Sequence, residues 1–126
     1  MRRVRSGEKG SATVWVLACC ALLVVVGYAS VLRSAAVLAR HRAEAAADFA
    51  ALAAAGQIGI SDNICTAAQR LAARNGAQVA SCTPALATDG RSGTVIVQLH
   101  LPVRLAGLGA GEVTASARAG RGAVPP

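Results

Sequence analysis

The stretch that decides the fold is residues 11–32, SATVWVLACCALLVVVGYASVL, in which 22 consecutive residues carry no charge. A helix of this length spans the hydrocarbon core of a bilayer, which is about 30 Å thick. Trp15 and Tyr28 lie near its two ends, where amphipathic aromatic rings favour the membrane–water interface. We therefore predict a transmembrane helix at residues 11–32, in contact with membrane lipid and anchored by Trp15 and Tyr28. The alternative, a buried helix of a soluble domain, is disfavoured because a chain of 126 residues offers little else to cover it.

The charges that flank this stretch predict its orientation. Three arginines and a lysine precede it against one acid, and three arginines follow it within ten residues. Because short basic flanks tend to stay in the cytoplasm, we predict a basic cytoplasmic tail at residues 1–10, a single membrane pass and an extracytoplasmic C-terminal domain. A cleavable secretory signal, cut after Ala29, is the competing interpretation.

The helical pattern continues beyond the predicted membrane span. Apolar residues recur every three to four positions up to Gly56, a residue suited to end a helix. We predict a helical stalk at residues 33–56 that continues the membrane helix. One face of it carries only small residues, which let another backbone approach closely: Ala43, Ala46, Ala47, Ala50, Ala51 and Ala54. This face packs either against partner helices or on the protein's own domain, and the sequence leaves both open.

The rest of the chain predicts a small extracytoplasmic α+β domain at residues 57–120. A second helix is expected at residues 64–75, with Ser61 or Asp62 as N-cap and Gly76 in a left-handed turn after it. Alternating apolar residues predict an antiparallel sheet with strands at residues 78–82, 94–101 and, more weakly, 113–119.

The links between these strands are predicted from turn-forming residues. We expect a turn at residues 89–93, a stop at Pro102 and a glycine-rich loop at residues 107–111. Val95, Val97, Leu99 and Leu101 are expected to face a helix. Residues 121–126 are expected to form a disordered tail.

The positions of the cysteines indicate the cellular compartment in which the C-terminal domain folds. Cys19 and Cys20 lie inside the apolar stretch, whereas Cys65 and Cys82 flank the second helix and the strand after it. A disulfide between the latter two would stabilise so small a domain by about 3 kcal/mol and would persist only outside the reducing cytoplasm. A metal pair and two free thiols are the alternatives. The two histidines have no ligand-like spacing to either cysteine, so we predict neither a metal nor a cofactor.

Three segments of the chain resemble the short TadE-like proteins of actinobacteria, relatives of minor pilin-like components of the tight-adherence (Flp) pilus. They are GSATVWV at residues 10–16, HRAEAAADFAALAAA at residues 41–55, and the stretch from Cys65 to Cys82. The resemblance implies a lollipop-shaped, pilin-like subunit that is inserted by the export machinery. It also implies that the protein works beside other pilin-like subunits and pilus assembly proteins on the outer face of the membrane.

One position departs from the pilin-like pattern. The resemblance makes Gly10 a candidate processing site, and pilin-like members carry a Glu five positions after that Gly, where this chain has Trp15. In pilins the Glu neutralises the N-terminal amine of a neighbouring subunit inside an apolar bundle, where an unpaired charge is costly. Trp15 cannot do this. We therefore expect an accessory or minor subunit rather than the bulk filament protein.

Asp48, Phe49 and Leu52 are candidate contacts with a partner helix, because Asp48 is the one acid on an Ala-rich face of the helix. The alternative for Asp48 is an ion pair within its own helix, exposed to solvent and worth a few tenths of a kcal/mol.

Other classes of function have weaker support in the sequence. No nucleophile-elbow, metal-ligand or phosphate-loop spacing supports an enzyme or a small-molecule substrate. From residue 33 onward nine arginines face five acids, which would attract DNA or anionic surface polymers. The arginines lack interleaved aromatic residues for base stacking. We therefore expect an accessory membrane protein that acts by helix packing with partner subunits, and a secreted or surface-anchored basic binding module is the alternative.

Overall fold

A computed structural model describes residues 9–105 and 107–123 of the chain. Two helices and three strands follow one another, so the α+β class is confirmed; they are α1 (Lys9–Gly56), α2 (Ile64–Arg74), β1 (Gln78–Leu86), β2 (Gly93–Leu105) and β3 (Gly109–Arg121). Most of the two predicted tails, residues 1–8 and 124–126, lies outside the described residues. Where the structure describes those tails, Lys9 and Gly10 begin α1 and Arg121 ends β3.

The chain divides into two compact units, residues 1–35 and 36–126. In the first unit the described residues form the N-terminal part of α1. Its apolar side chains are exposed, Leu23 and Val24 at 70% and 71%. This part of α1 is long and apolar enough to cross a membrane, which makes it a candidate single-pass anchor. Exposed apolar surface on this scale needs lipid or another protein to cover it.

The second unit contains an antiparallel sheet with the strand order β1-β2-β3. β2 and β3 pair along their whole lengths, from Gly93 opposite Arg121 to Leu105 opposite Gly109. β1 pairs with β2 from Gln78, opposite His100, to Leu86, with an irregularity in register between Val79 and Ser81. The sheet is therefore a three-stranded meander with β1 and β3 at its edges.

Two strand boundaries differ from the sequence prediction around a proline. β2 was predicted to stop at Pro102 but continues to Leu105, and β1 was predicted to stop at Cys82 but continues through Pro84 to Leu86. Pro lacks the N–H that a central strand position requires, but it is tolerated where one side has no neighbour. β1 is an edge strand, and β2 beyond His100 has no β1 residue opposite it.

The glycine-rich loop is shorter than predicted, because β3 begins at Gly109 rather than at residue 113. Gly107 and Gly109 have φ angles of +84° and +89°, a region that favours glycine. They therefore allow a tight β2–β3 connection that leaves residues 109–112 free to pair with β2.

The second helix also differs slightly from its prediction. Its N-cap is Asn63, not Ser61 or Asp62, and no side chain caps it by a hydrogen bond. The helix ends at Arg74, and Gly76 has the expected left-handed φ of +70°.

The hydrophobic core lies between α1, α2 and one face of the sheet. Val95, Val97 and Leu99 are fully buried there as predicted, and Leu101 packs against the core while partly buried. All six alanines of the small-residue face of α1 are buried, at 0–3% exposure. Of the two alternatives for this face, the structure shows packing within the protein's own domain.

Candidate functional site

The opposite face of α1, within residues 36–56, carries large apolar side chains that stay more than half exposed. They are Leu38, Phe49 and Leu52, at 52%, 56% and 60% exposure. Together with exposed Ala45 they are separated by seven, four and three residues, which places them along one side of the helix. We call these four residues the outer stripe. It includes Phe49 and Leu52, which the sequence names as candidate contacts with a partner helix, and that role stays a prediction.

The size pattern of α1 in this region is the reverse of that of an ordinary amphipathic helix. Its core side is built from alanine, with Ala47 and Ala50 at 0% exposure, and the sheet supplies the larger buried side chains, such as Val97 and Leu99. The large residues of α1 point to solvent instead. Burial of a Leu or Phe side chain stabilises a fold by about 1.5–3 kcal/mol, and the outer stripe contributes little of this to the fold of the chain.

An acid at the border of the two faces is satisfied within the helix. Arg40 Nε donates to Glu44 Oε1 at 2.9 Å, and His41 Nδ1 lies 3.5 Å from Glu44 Oε2. The hydrogen bond from Arg40 holds the pKa of Glu44 below its ordinary value, and the charges of Arg40 and His41 act in the same direction against partial desolvation. Because these groups are exposed, the pair contributes little to stability.

Asp48 lies beside the outer stripe and is exposed. Within residues 9–105 and 107–123 its carboxylate makes no hydrogen bond or ion pair, and the nearby bases Arg40 and His41 contact Glu44 instead. The intrahelical ion pair considered for Asp48 is therefore not formed. The structure brings Asp48, Phe49 and Leu52 together on one solvent-exposed surface.

The predicted interface anchors and processing residue all lie on α1. Trp15 and Tyr28 are 71% and 55% exposed, and thirteen residues of helix separate them by about 20 Å. Gly10 lies in the first turn of α1, and a Cβ at this position would meet nothing within 4 Å. The anchoring and processing roles stay predictions.

Cys65 and Cys82 form a disulfide that joins the first turn of α2 to the middle of β1, with a Cα–Cα distance of 5.9 Å. Both sulfurs are thereby used, which leaves neither as a metal ligand or a free thiol. Cys19 and Cys20 are free and exposed on α1. Within the described residues no three His, Cys, Asp or Glu side chains are grouped so that they could hold a metal ion.

Two polar features of the second unit were not predicted from the sequence. The Asp89 carboxylate accepts hydrogen bonds from the backbone N–H groups of Arg91 and Ser92, both at 3.0 Å, and from the Ser92 hydroxyl. The N–H of Arg91, followed by the two groups of Ser92, holds the pKa of Asp89 below its ordinary value. The turn was expected, and the spacing of Asp89 and Ser92 is the local signal for this side-chain bonding.

The second feature is a long-range contact. Arg121, at the end of β3, donates from Nη1 to the backbone carbonyl of Ile58 at 2.7 Å. An open cleft beside this bond is lined by Arg91, Asp89 and Gly59 as well. No local sequence pattern could reveal the contact, because 63 residues separate its partners. The bond ties the end of the sheet to the segment after α1.

Comparison with known protein families matches residues 10–57 to the Tad family, described as putative Flp pilus-assembly TadE/G-like. The match covers nearly all of α1, including the outer stripe, and does not extend to α2 or the sheet. The resemblance inferred from the sequence is confirmed over these residues. Comparisons with curated proteins and with solved structures give no match.

Proposed function

Since the chain is TadE/G-like over residues 10–57, we propose that it is a minor pilin-like, accessory membrane protein of a tight-adherence (Flp) pilus or a related secretion-type assembly. In this proposal the protein does no catalysis and acts by packing α1 against helices of partner subunits. The family match supports the pilus-associated role, and the exposed side chains of α1 support the mode of contact.

The observation that carries the proposal is the outer stripe. It lies within the segment that the family match covers, and it presents Leu38, Phe49 and Leu52 to solvent although the fold uses alanine on the same helix for its core. A partner helix that covered these side chains would bury apolar area that the chain itself leaves exposed. Asp48 at the border of the stripe would select the orientation of that partner through its charge.

The proposal also includes a topology. Residues 11–32 cross the membrane with the N-terminus in the cytoplasm, residues 33–56 form the stalk, and residues 57–120 fold outside. The uncharged apolar stretch supports the crossing, and the Cys65–Cys82 disulfide supports an oxidising location for the second unit. Trp15, in place of the pilin Glu, supports an accessory subunit that is not cut at Gly10.

Site-specific photocrosslinking in cells that carry the partner genes tests the contact. A photoreactive residue at position 49 or 52 should form an adduct with another pilin-like subunit. The matched control is position 69, where exposed Gln69 lies on α2 outside the stripe. Adducts of equal yield at position 69, or none at 49 and 52 while the partner is present, would contradict the proposal.

The binding-module alternative has a separate test. Arg40 pairs with Glu44, and Arg121 bonds the backbone at Ile58, so two of the arginines already serve the protein's own structure. Salt-sensitive binding of DNA by the purified protein would favour the alternative, whereas its absence together with the crosslinks would favour the pilus role.

A further inference from the structure

The sheet has one protected edge and one open edge. β1 carries Pro84, has an irregular register near Ser81 and is tied to α2 through Cys82, all features that discourage pairing with another strand. β3 lies at the other edge, and β2 is the only strand that it pairs with in the described part of the chain. It contains no proline and pairs with β2 in regular register, so its free side offers a continuous row of backbone groups, and its charged residues are Glu112, Arg118 and Arg121.

The sequence of β3 is self-complementary when two copies run antiparallel. If Ala115 lies opposite Ala115 of a second copy, every residue from Gly109 to Arg121 has a counterpart, because both ends are six residues from the centre. In this register Glu112 lies opposite Arg118, and Arg118 opposite Glu112. Opposite charges that face one another across strands stabilise the pair.

The side chains on the two faces of β3 fit the same arrangement. Glu112 and Arg118 belong to the polar face, where the Glu112 carboxylate pairs with His100 Nδ1 and Arg118 Nη2 donates to the Thr94 hydroxyl at 3.5 Å. Both side chains are exposed, so each can turn from its β2 partner to a charge across the open edge. On the other face Ala117 is buried and Ala115 packs against the core while partly buried, and small residues there let a second sheet adjoin without a clash.

We propose that the free edge of β3 binds β3 of a second copy of this chain, antiparallel and centred on Ala115, to form a continuous six-stranded sheet. Such a pair has a twofold axis perpendicular to the sheet. The contact uses β3 alone and is independent of the outer stripe.

Charge exchange in the full-length, detergent-solubilised protein tests this inference. Glu112→Arg alone, or Arg118→Glu alone, puts like charges opposite one another at two places, and the dimer dissociation constant should rise about tenfold. The double exchange Glu112→Arg with Arg118→Glu should restore it. The control is Arg104→Glu, which makes the same charge change as Arg118→Glu at an exposed position of β2. Analytical ultracentrifugation gives the constants, and an intact Cys65–Cys82 disulfide confirms folding.

A mixture of the two single variants in detergent supplies the second measurement. Glu112→Arg alone and Arg118→Glu alone should each dimerise weakly, whereas the mixture should dimerise as wild type does, because each mixed pair has opposite charges at both places. A monomer at all concentrations, or a dimer whose constant the exchanges leave unchanged, overturns the inference. Either result leaves the pilus role standing, because that role depends on crosslinks from positions 49 and 52.

Discussion

The two faces of α1 in the second unit differ in a way that separates folding from recognition. The face toward the sheet is built from alanines at 0–3% exposure, and the face toward solvent carries Leu38, Phe49 and Leu52. A helix selected only for the stability of its own domain would place its large residues inside. The alanine face therefore specifies the fold, whereas the outer stripe contributes little to it. Substitutions on the alanine face should therefore lower stability, whereas substitutions on the outer stripe should weaken partner binding and leave stability nearly unchanged.

The largest effect is expected from a charge on the alanine face. Ala47→Glu buries a carboxylate with no base to pair it, which should destabilise the second unit by about 3–5 kcal/mol, much of what so small a domain has. Circular dichroism should show loss of the cooperative thermal transition. Ala45→Glu, on the outer stripe of the same helix, is the matched control and should keep it; equal loss in both variants would abolish the distinction between the faces.

A smaller effect is expected from added volume. Ala50→Leu inserts three carbons at a position with 0% exposure, and such overpacking should lower the free energy of unfolding by about 1–3 kcal/mol. Denaturant titration measures it. Ala45→Leu adds the same atoms in solvent and should change stability by no more than about 0.5 kcal/mol. If Ala50→Leu proved neutral, the contact between α1 and the sheet would be looser than the burial indicates.

The outer stripe should show the reverse pattern. The double substitution of Phe49→Ser with Leu52→Ser should change stability by less than about 1 kcal/mol, because both side chains are exposed and only helix propensity is affected. Binding should suffer instead, and adducts from a photoreactive residue at position 45 should fall. A loss of stability as large as that of Ala50→Leu would mean that the stripe belongs to the fold.

The smallest effect is expected at the border of the two faces. The folded-state pKa of Glu44 is lowered, mainly by the hydrogen bond from Arg40, so its stabilising contribution is complete above the ordinary pKa of a glutamate. That contribution disappears as the pH falls through the lowered pKa. Wild type should therefore exceed Glu44→Gln slightly in melting temperature near neutral pH, and the difference should vanish in acid. A difference that grew in acid would show that Arg40 does not stabilise the carboxylate.

Local patterns in the sequence predicted much of the fold and part of the candidate site. The uncharged stretch and the Gly56 stop indicated α1, and alternation indicated that Val95, Val97 and Leu99 face inward. Placement of the alanine face could not be predicted, because close packing on a sheet and on a partner helix require the same small residues. The continuation of β1 past Pro84 and of β2 past Pro102 was not predicted, because the tolerance of a strand for proline depends on which strands lie beside it. The contact from Arg121 to Ile58 depends on the tertiary fold alone.

The bridge between α2 and β1 connects neighbours in the sequence, and the alanine-lined contact of α1 with β2 and β3 contains no covalent tie. Reduction of the Cys65–Cys82 disulfide should therefore release α2 and leave α1 packed on β2 and β3. Limited proteolysis under reducing conditions should cut first between residues 57 and 77. The outer stripe of α1 should therefore survive reduction of the disulfide, while α2 becomes sensitive to protease.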